Sequence, residues 1–427
     1  PGADEVWPHL RVPIYQEPLV LFLTGVNQLN TALFLDGSKN DGEGAREILF
    51  LPPKDVEKEF WDGLRFGTGF SESEKEVKAV TGLRAVRNFN ELNAFVEELA
   101  GKKRLEKLGL FWHERRPNSI SKIKKVSDSK ARFKKKCEAL MRGLGKDPEK
   151  ILVNAAPVAW HFRRPLDSVD ADNALIANQK TGAAFTALLG RLRGLKNETV
   201  VRGILEGELL RRTSHGLSFP SIVAAGKNAA VLHYEKADSP IRGNELLLLD
   251  FGLKWQGLHA DVTRTVPVNG KFNPLQKLLY TIVLEAQAFH EKHAKSGARL
   301  KEMNERTWAR LEELLEERFI RTGGKMKRPY EKAPHGVSHL IGLAIHDGDP
   351  FGDYKDEPME PGWLISNEPG LYGFFEMEIG RKIYREDVGI RIEDDLLVTK
   401  KGCVNLSRGI PKKIPVIERL ILSRRSS

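Results

Sequence analysis

The sequence predicts two domains, an α/β domain followed by an α+β domain with a curved antiparallel sheet. A chain of 427 residues is longer than a single hydrophobic core usually serves, so two domains are expected. Short apolar strands alternate with helices in the first part of the chain, whereas a block of two helices followed by strands occurs twice in the second part. A block that occurs twice suggests two related halves around one sheet. We therefore place the domains at residues 1–165 and 166–427.

In the first domain, short apolar runs bounded by turn residues predict strands, and apolar residues at helical spacing predict helices. The predicted strands include residues 19–24, 32–35, 48–51 and 151–158. The predicted helices include residues 56–64 and 90–107. Pro165 ends the domain, because a proline breaks any helix that reaches it.

The second domain shows the repeated order of elements. Its predicted helices are residues 170–193, 198–213, 275–293 and 300–322. Its predicted strands include residues 231–234, 246–251, 260–268, 337–345, 363–367 and 388–398.

The composition excludes several classes of protein. Hydrophobic residues make up 41% and charged residues 30% of the chain, and no apolar run approaches the roughly 20 residues that cross a bilayer. We therefore expect no membrane partner. Cys137 and Cys403 are the only cysteines, which excludes a disulfide scaffold and a cysteine-based metal cluster and favours the cytoplasm.

The net charge of +10 is concentrated between residues 102 and 136. Such a segment can bind nucleic acid or an anionic surface, or it can form the solvated face of a lysine-rich helix. Few aromatic residues are interleaved with its lysines and arginines, so it offers no stacking platform for bases. We therefore favour the helical face and do not expect nucleic acid as a partner.

The first informative motif is a predicted hairpin with Asp250 in one strand and Asp261 in the other. A turn centred on Trp255-Gln256 would place Asp250 directly opposite Asp261, with Cβ atoms about 5 Å apart. Two opposed carboxylates repel each other unless a cation lies between them or one keeps its proton. The alternative is that both are ordinary turn or edge residues.

The second motif contains His335, His339 and His346, three of the eleven histidines within twelve residues. A lone histidine is usually a satisfied structural group, and so dense a cluster less often is. A helical zinc-peptidase motif would need a glutamate after the first histidine. Gly336 stands there, so we reject that alternative.

Two further carboxylates follow, Glu368 at the end of an apolar strand and Glu393 on the same strand face as Arg391. Together with the two aspartates they supply four negative charges, which balance two divalent cations. An oxygen-rich ligand set suits manganese, although cobalt, iron or zinc could also occupy it. Two metal ions would supply a hydroxide nucleophile and a Lewis acid for a scissile carbonyl.

In order and local context, five residues resemble the metal ligands of the pita-bread metallopeptidases, which include methionine aminopeptidase, prolidase and aminopeptidase P. They are Asp250, Asp261, His339, Glu368 and Glu393. The resemblance covers about residues 165 to 415 and implies a pita-bread catalytic domain. The segment from Asp261 to Phe272 is most similar to aminopeptidase P.

The resemblance also implies a role for each ligand. Asp261 and Glu393 would bridge the two metals, and Asp250 would chelate one of them. His339 and Glu368 would hold the other metal, with Glu368 near the bridging water and able to transfer a proton.

Four other residues match functional positions of this family. His233 resembles a histidine that orients the substrate and the tetrahedral intermediate. His335 and His346 resemble pocket histidines of the proline-specific members, and Arg391 resembles an arginine behind the bridging glutamate.

The first domain is similar to the N-terminal domain of creatinase and aminopeptidase P in two short pieces, Phe22–Asn27 and Trp61–Gly63. Simple methionine aminopeptidases lack this domain, so its presence argues against that branch. Trp61 resembles a tryptophan that reaches the substrate pocket in some members; the alternative is a core aromatic. The sequence departs from the family pattern at Gln28-Leu29, where Glu-Pro is frequent, and across residues 113–136.

We therefore expect a dinuclear metal-dependent aminopeptidase that removes the first residue from peptides with proline in second position, by means of a metal-bridging hydroxide. We also expect a homo-oligomer, either a dimer or a tetramer. One alternative is a prolidase, which cleaves X-Pro dipeptides and shares these residues. Another is a pita-bread domain used as a binding module, but members of that class have usually lost ligands and all five are present here. Creatinase shares the fold but lacks this full ligand set.

Overall fold

The computed structural model describes residues 18–28, 30–36, 46–101, 106–110, 129–349 and 352–423. Contacts between residues divide the chain into two compact units, with the division between Arg163 and Arg164. Within the described residues, no helix combines the length and the apolar character needed to span a membrane.

The first unit is an α/β structure. Its strands are β1 (Ala32–Asp36), β2 (Arg46–Leu51), β3 (Ala85–Asn88), β4 (Leu108–Leu110) and β5 (Leu152–Asn154). Its helices are α1 (Pro18–Thr24), α2 (Val56–Asp62), α3 (Ser71–Thr81), α4 (Leu92–Gly101), α5 (Ser129–Gly143), α6 (Pro148–Ile151) and α7 (Ala156–Arg163). Strands β1 and β2 pair antiparallel, whereas β2 with β3 and β4 with β5 pair parallel.

The centre of this unit is β2, which is covered on both faces. Phe50 packs on one face with Phe95 of α4, and Leu49 packs on the other with Val77 of α3. Side chains of a strand alternate between its faces, so a continuous apolar run belongs to a strand buried on both sides. This packing confirms the α/β character predicted for the first domain.

Two predictions for the first unit are wrong. Residues 19–24 form helix α1 rather than a strand, because Pro18 starts the helix and leucines favour it. The helix ends at Gly25, whose φ of 67° is left-handed. The strand predicted for 151–158 is limited to β5, after which the Asn154 side chain accepts a hydrogen bond from the Ala156 amide and α7 begins.

Part of the basic segment lies in α5, while residues 102–105 and 111–128 lie outside the described residues. Cys137 and Met141 are buried on one side of α5, and Lys135 and Lys136 are exposed. Lys134 forms an ion pair with Glu138 one turn later, at 2.7 Å. The described part of the segment is therefore a partly solvated lysine-rich helix.

The second unit consists of long helices and antiparallel strands. Its helices are α8 (Ser168–Leu192), α9 (Glu198–Leu210), α10 (Pro274–His293), α11 (Leu300–Leu315) and α12 (Ile414–Leu422). Its strands are β6 (Ile222–Ala225), β7 (Leu246–Phe251), β8 (Lys254–Trp255), β9 (Leu258–His259), β10 (Val262–Pro267), β11 (Lys325–Lys327), β12 (Leu364–Asn367), β13 (Gly370–Ile379), β14 (Lys382–Arg391), β15 (Asp394–Val398) and β16 (Cys403–Asn405).

The order of these elements repeats as predicted. Helices α8 and α9 precede the sheet β10-β7-β6, and helices α10 and α11 precede the sheets β11-β13-β14 and β12-β15-β16. All strand pairs described in this unit are antiparallel. The α+β character predicted for the second domain is therefore confirmed.

The central strand β7 is buried on both faces and separates the main core from the side that carries Asp250. Leu249 and Phe251 belong to the main core beneath the helices, whereas Leu248 belongs to a separate cluster on the other face. Asp250 shares the face of Leu248, because side chains alternate along a strand. The carboxylate is therefore held on the sheet face that turns away from the main core.

Three strand predictions for the second unit need correction. Residues 231–234 form an irregular turn. Residues 337–345 are irregular apart from one bridge between Leu340 and Ile365, since Gly336 and Gly342 interrupt the apolar run. Residues 388–398 belong to two strands, β14 and β15, and Glu393 lies in the link between them.

Candidate metal centre

The hairpin that carries the two aspartates closes through a two-residue turn at Gln256 and Gly257. Both residues have positive φ, 49° and 86°, which is the backbone of the turn that best fits two twisted antiparallel strands. Trp255 therefore pairs with Leu258, and Asp250 pairs with Thr263. The prediction that Asp250 lies directly opposite Asp261 is wrong, because the turn centre is one residue further along the chain.

The two carboxylates nevertheless face the same way. Asp261 precedes Thr263 by two residues, and residues two apart point to the same face of a strand. Diagonal neighbours of this kind are about 7–8 Å apart between backbones. Asp250 and Asp261 are both buried, with 9% and 5% of their surface exposed.

His339 is positioned by backbone contacts with β12. Its carbonyl accepts from the Ser366 amide at 2.9 Å, and its own amide donates to the Ser366 hydroxyl at 3.0 Å. The imidazole Nε2 lies 3.6 Å from Asp261 Oδ2 and 3.5 Å from Glu368 Oε1. A residue without regular secondary structure is thus brought between two carboxylates.

Glu393 reaches the same place from the link between β14 and β15. Its amide donates to the Thr263 carbonyl at 3.0 Å, and its Oε2 accepts from the Thr263 hydroxyl at 2.6 Å. Asp261, His339 and Glu393 each offer one ligand atom, and these atoms all lie within 4.8 Å of one another. Three residues distant in sequence therefore form one cluster of metal-ligating atoms.

Arg391 connects this cluster to Asp250. Its Nη2 donates to Asp250 Oδ2 at 2.7 Å, and its Nε donates to the Thr263 hydroxyl at 3.0 Å. The guanidinium is buried, with 4% of the residue exposed. Its five donors in a fixed plane suit this task of holding two groups at once.

The two other histidines of the 335–346 segment lie beside residues of this site. His335 Nδ1 lies 3.7 Å from Glu368 Oε2, and the rings of His339 and His346 are 4.3 Å apart. The structure therefore brings the predicted histidines of the 335–346 segment together beside one carboxylate.

Burial and crowding shift the titration of these groups. Burial, followed by the charges of neighbouring carboxylates, raises the pKa of Asp261 and of Glu393. Burial raises the pKa of Glu368 to about 7. Burial also lowers the pKa of His339 to about 3 and that of His335 to about 4. Both imidazoles are therefore neutral at pH 7, which is the form that binds a metal.

These residues fit divalent metal ions. Four carboxylates crowd this space, and the buried cation Arg391 contacts one of them, Asp250. Asp250 Oδ1 is buried and has no hydrogen-bond partner in the described structure, as expected for an atom whose partner is a metal ion. A set of carboxylates with one imidazole suits a hard ion such as manganese.

His233 lies in the irregular turn that follows residues 226–230, and its side chain is exposed. Next to it, the Tyr234 hydroxyl donates to the buried carboxylate of Glu198 at 3.0 Å. After burial, the charge of His233 is among the causes that lower the pKa of His335 and of His346. His233 is therefore close to the other two histidines.

Trp61 belongs to α2 in the first unit. Its ring meets that of Phe60 edge to face, with centroids 5.7 Å apart, and 66% of the residue is exposed. This exposure excludes the alternative of a core aromatic. The assignment of Trp61 to the substrate pocket stays a prediction.

Sequence reasoning missed Tyr372. Its hydroxyl forms hydrogen bonds with His335 Nε2 at 2.9 Å and with Arg391 Nη1 at 3.2 Å. No pattern in the sequence indicates a partner for its hydroxyl. Its contacts depend on pairing with β14, where Tyr372 lies opposite Gly389.

Two family models match the chain. The model of metallopeptidase family M24 matches residues 172–400, and the model of the aminopeptidase P N-terminal domain matches residues 11–107. The first match contains every residue of the candidate metal centre. The second falls in the first unit.

Curated relatives match over most of their length. The Xaa-Pro aminopeptidase of Escherichia coli K12 is 28% identical over 425 residues, which cover 97% of this chain and 90% of the relative. The human Xaa-Pro aminopeptidase 3 is 26% identical over 415 residues, which cover 95% of this chain and 76% of the relative.

Solved structures agree with these relatives. Zinc-substituted E. coli aminopeptidase P in complex with product is 25% identical, with a TM-score of 0.78 over 98% of this chain and 92% of that one. Proline aminopeptidase P II from Yersinia pestis is 24% identical, with a TM-score of 0.78 over 97% of this chain and 91% of that one. The expected creatinase-like first domain and pita-bread second domain are thereby confirmed.

Proposed function

Since the chain belongs to metallopeptidase family M24 and is a metal-dependent aminopeptidase, we propose that it removes the N-terminal residue from peptides with proline in second position. One observation carries this proposal: similarity to Xaa-Pro aminopeptidases extends over nearly the whole chain, including the N-terminal domain. The cluster of neutral histidines beside the candidate metal centre supports it.

We further propose that five residues hold two divalent ions, with manganese as the first candidate and cobalt, iron or zinc as the others. The ligands would be Asp250, Asp261, His339, Glu368 and Glu393, the set that the family resemblance implies. When bound, such ions activate water near neutral pH and act as Lewis acids toward the scissile carbonyl. Their charge would also relieve the repulsion that raises the pKa of Asp261 and Glu393.

Glu368 is the candidate for proton transfer. The family resemblance implies this role, and the carboxylate lies at the site, with Oε1 3.5 Å from Nε2 of the proposed ligand His339. Its Oε1 would take a proton from the attacking water and pass it to the nitrogen of the leaving proline. The Ser366 hydroxyl donates to the same oxygen at 3.4 Å and so helps to orient it.

The histidines would recognise proline and stabilise charge. A peptide bond to proline has no N–H. A site that binds proline therefore cannot depend on a hydrogen bond from that nitrogen. Neutral His335 and His346 would supply such a surface. His233, on its exposed turn, would donate to the oxygen of the scissile carbonyl as negative charge develops there.

The test is a panel of paired peptides, Xaa-Pro-Yaa and Xaa-Ala-Yaa, assayed with added Mn²⁺ and after treatment with EDTA. We expect kcat/KM to be at least about tenfold higher for the proline peptides, or roughly 1.4 kcal/mol in transition-state binding. Equal values for proline and alanine would disprove the proposed specificity. Cleavage of X-Pro dipeptides alone would identify a prolidase instead.

The proposal for assembly is a homo-oligomer, a dimer or a tetramer. Sedimentation of the purified chain tests it, and a monomer would contradict it.

A further inference from the structure

A cavity of about 480 Å³ is lined in part by His335, the histidine that lies beside Glu368. Residues of α11 and of the segment 352–356 line much of it. They include Lys301, Asn304, Trp308, Lys355 and Asp356.

His335 borders both the cavity and the proposed proton-transfer residue. One of its ring nitrogens lies 3.7 Å from Glu368 Oε2, and its carbonyl accepts from Trp308 Nε1 at 3.0 Å. The rings of Trp308 and His335 meet edge to face, with centroids 5.6 Å apart. A peptide bound at Glu368 and extended past His335 would therefore enter the cavity.

Two hydrogen-bond donors converge beside Gly336, where a side chain is missing. A Cβ atom built on Gly336 would lie 3.6 Å from Lys355 Nζ and 3.5 Å from Asn304 Nδ2. Both donors therefore lie beside one small space next to His335, which the Ser338 carbonyl also borders, at 3.7 Å from the same position. Because residue 336 is a glycine, no side chain of its own fills that space.

Lys355 forms no ion pair with the described residues, and its charge acts at longer range on the carboxylate of Glu368, where it opposes the rise in pKa that burial causes. The cavity contains a second lysine, Lys301, but its ion pair with Asp356 at 2.9 Å neutralises it. The charge of Glu305, the other carboxylate that lines the cavity, also helps to raise the pKa of Lys301. Lys355 therefore remains as a half-buried cation, and its charge contributes to lowering the pKa of His346.

Asn304 offers an acceptor as well as a donor. Its Oδ1 is buried and has no partner among the described residues, and a buried polar atom normally has one. An amide acceptor, an amide donor and a cation in one cavity match the N–H and the carboxylate of a terminal amino-acid residue.

We propose that this cavity binds the carboxylate of the peptide substrate on the leaving side of the scissile bond, with Lys355 as the residue that determines this specificity. The proposal rests on the function proposed above. The C-terminal carboxylate of a tripeptide is the ligand that matches both groups of Asn304. An acidic side chain after the proline has the same chemistry, and the test separates these two sources.

The experiment compares Xaa-Pro-Yaa free acids with their C-terminal amides, and the amides Xaa-Pro-Glu-NH2 with Xaa-Pro-Gln-NH2, on the metal-loaded enzyme. We expect kcat/KM to be about five to ten times higher for the free acid, mainly through KM, because charge-assisted hydrogen bonds are stronger than neutral ones. Lys355→Met should reduce that ratio to within about twofold, while Lys355→Arg should keep it. Lys332→Met, which removes an exposed lysine outside the cavity lining, is the matched control and should also keep it.

A preference for glutamate over glutamine in the amides, lost in Lys355→Met, would support the carboxylate site with the side chain as its source. Equal rates for acid and amide and for glutamate and glutamine would overturn the proposal, as would a preference unchanged in Lys355→Met. In each of these outcomes the proline peptides are still cleaved. Failure to cleave any proline peptide would instead overturn the proposed function, so the two failures are distinguishable.

Discussion

The guanidinium of Arg391 donates to the carboxylate of Asp250, with Nη2 and Oδ2 2.7 Å apart. The same guanidinium donates through Nε to the Thr263 hydroxyl, and that hydroxyl donates to Glu393. One arginine thus holds one candidate ligand directly and another through a threonine. Groups that orient ligands in this way typically contribute 10–100-fold to metal affinity or activity.

Thr263→Val removes the hydroxyl that connects Arg391 with Glu393, while keeping the shape of the side chain. We expect the Mn²⁺ concentration that gives half-maximal activity to rise by about 10–100-fold, with much of the activity restored by excess metal. Thr281→Val, on the exposed face of α10, is the control and should behave like the wild type. An unchanged metal dependence in Thr263→Val would show that the hydroxyl does not orient Glu393.

Glu393→Ala tests the ligand assignment itself. A carboxylate that bridges two ions contributes to both sites, so its removal should lose most of the bound metal and nearly all activity. Metal content by atomic emission, measured beside turnover, checks this expectation. Glu378→Ala removes an exposed carboxylate of β13 and should retain both metal and activity. Near-normal turnover of a fully metal-loaded Glu393→Ala enzyme would refute the assignment.

His233→Ala separates catalysis from metal binding. We expect the variant to keep its metal, since His233 is not in the proposed ligand set, and to lose about 10²–10³ in kcat because a donor to the developing oxyanion is removed. Metal content and turnover, measured as for Glu393→Ala, check both expectations. Parallel loss of metal and activity would mean that His233 is a ligand.

The ligand set illustrates what the sequence could predict. Each of the five candidate ligands lies next to an apolar run or a glycine that marks the end of an element, and local signals of this kind are visible in a single sequence. The fold class followed from the order of helices and strands.

The wrong predictions concern contacts between residues that are far apart in the sequence. The register of the hairpin depends on a positive φ at Gln256, a conformation that a residue other than glycine rarely adopts. The segments around His233 and His339 were predicted as strands because they are apolar, yet they are held by contacts with Glu198 and with β12. The role of Tyr372 depends on its hydroxyl reaching two residues from different elements.

The stability of the second unit should decrease in acid because of His290. Burial lowers its pKa to about 3. The ring Nδ1 contacts the Thr307 hydroxyl at 2.9 Å, which itself donates to the Met303 carbonyl. Nδ1 therefore carries the proton, and Nε2 is buried without a partner among the described residues.

The unfolded chain protonates this histidine near pH 6.5, whereas the folded chain does so only near pH 3. Between these values the unfolded state binds more protons, so stability falls as the pH falls. At pH 5 the loss from this residue is about 2 kcal/mol relative to pH 8. Urea unfolding at both pH values should show this difference in the wild type and a correspondingly smaller one in His290→Asn, which keeps a donor near Thr307. An equal pH effect in both proteins would contradict the assignment.

The tight turn at Gln256-Gly257 restricts how this protein can change over generations. If the pairing of β7 with β10 slipped by one residue, the side chains of one strand would turn to the opposite face. One of the two carboxylates would then point into the main core. A change of length in the hairpin is therefore compatible with the site only if the loop absorbs it and Asp250 stays paired with Thr263.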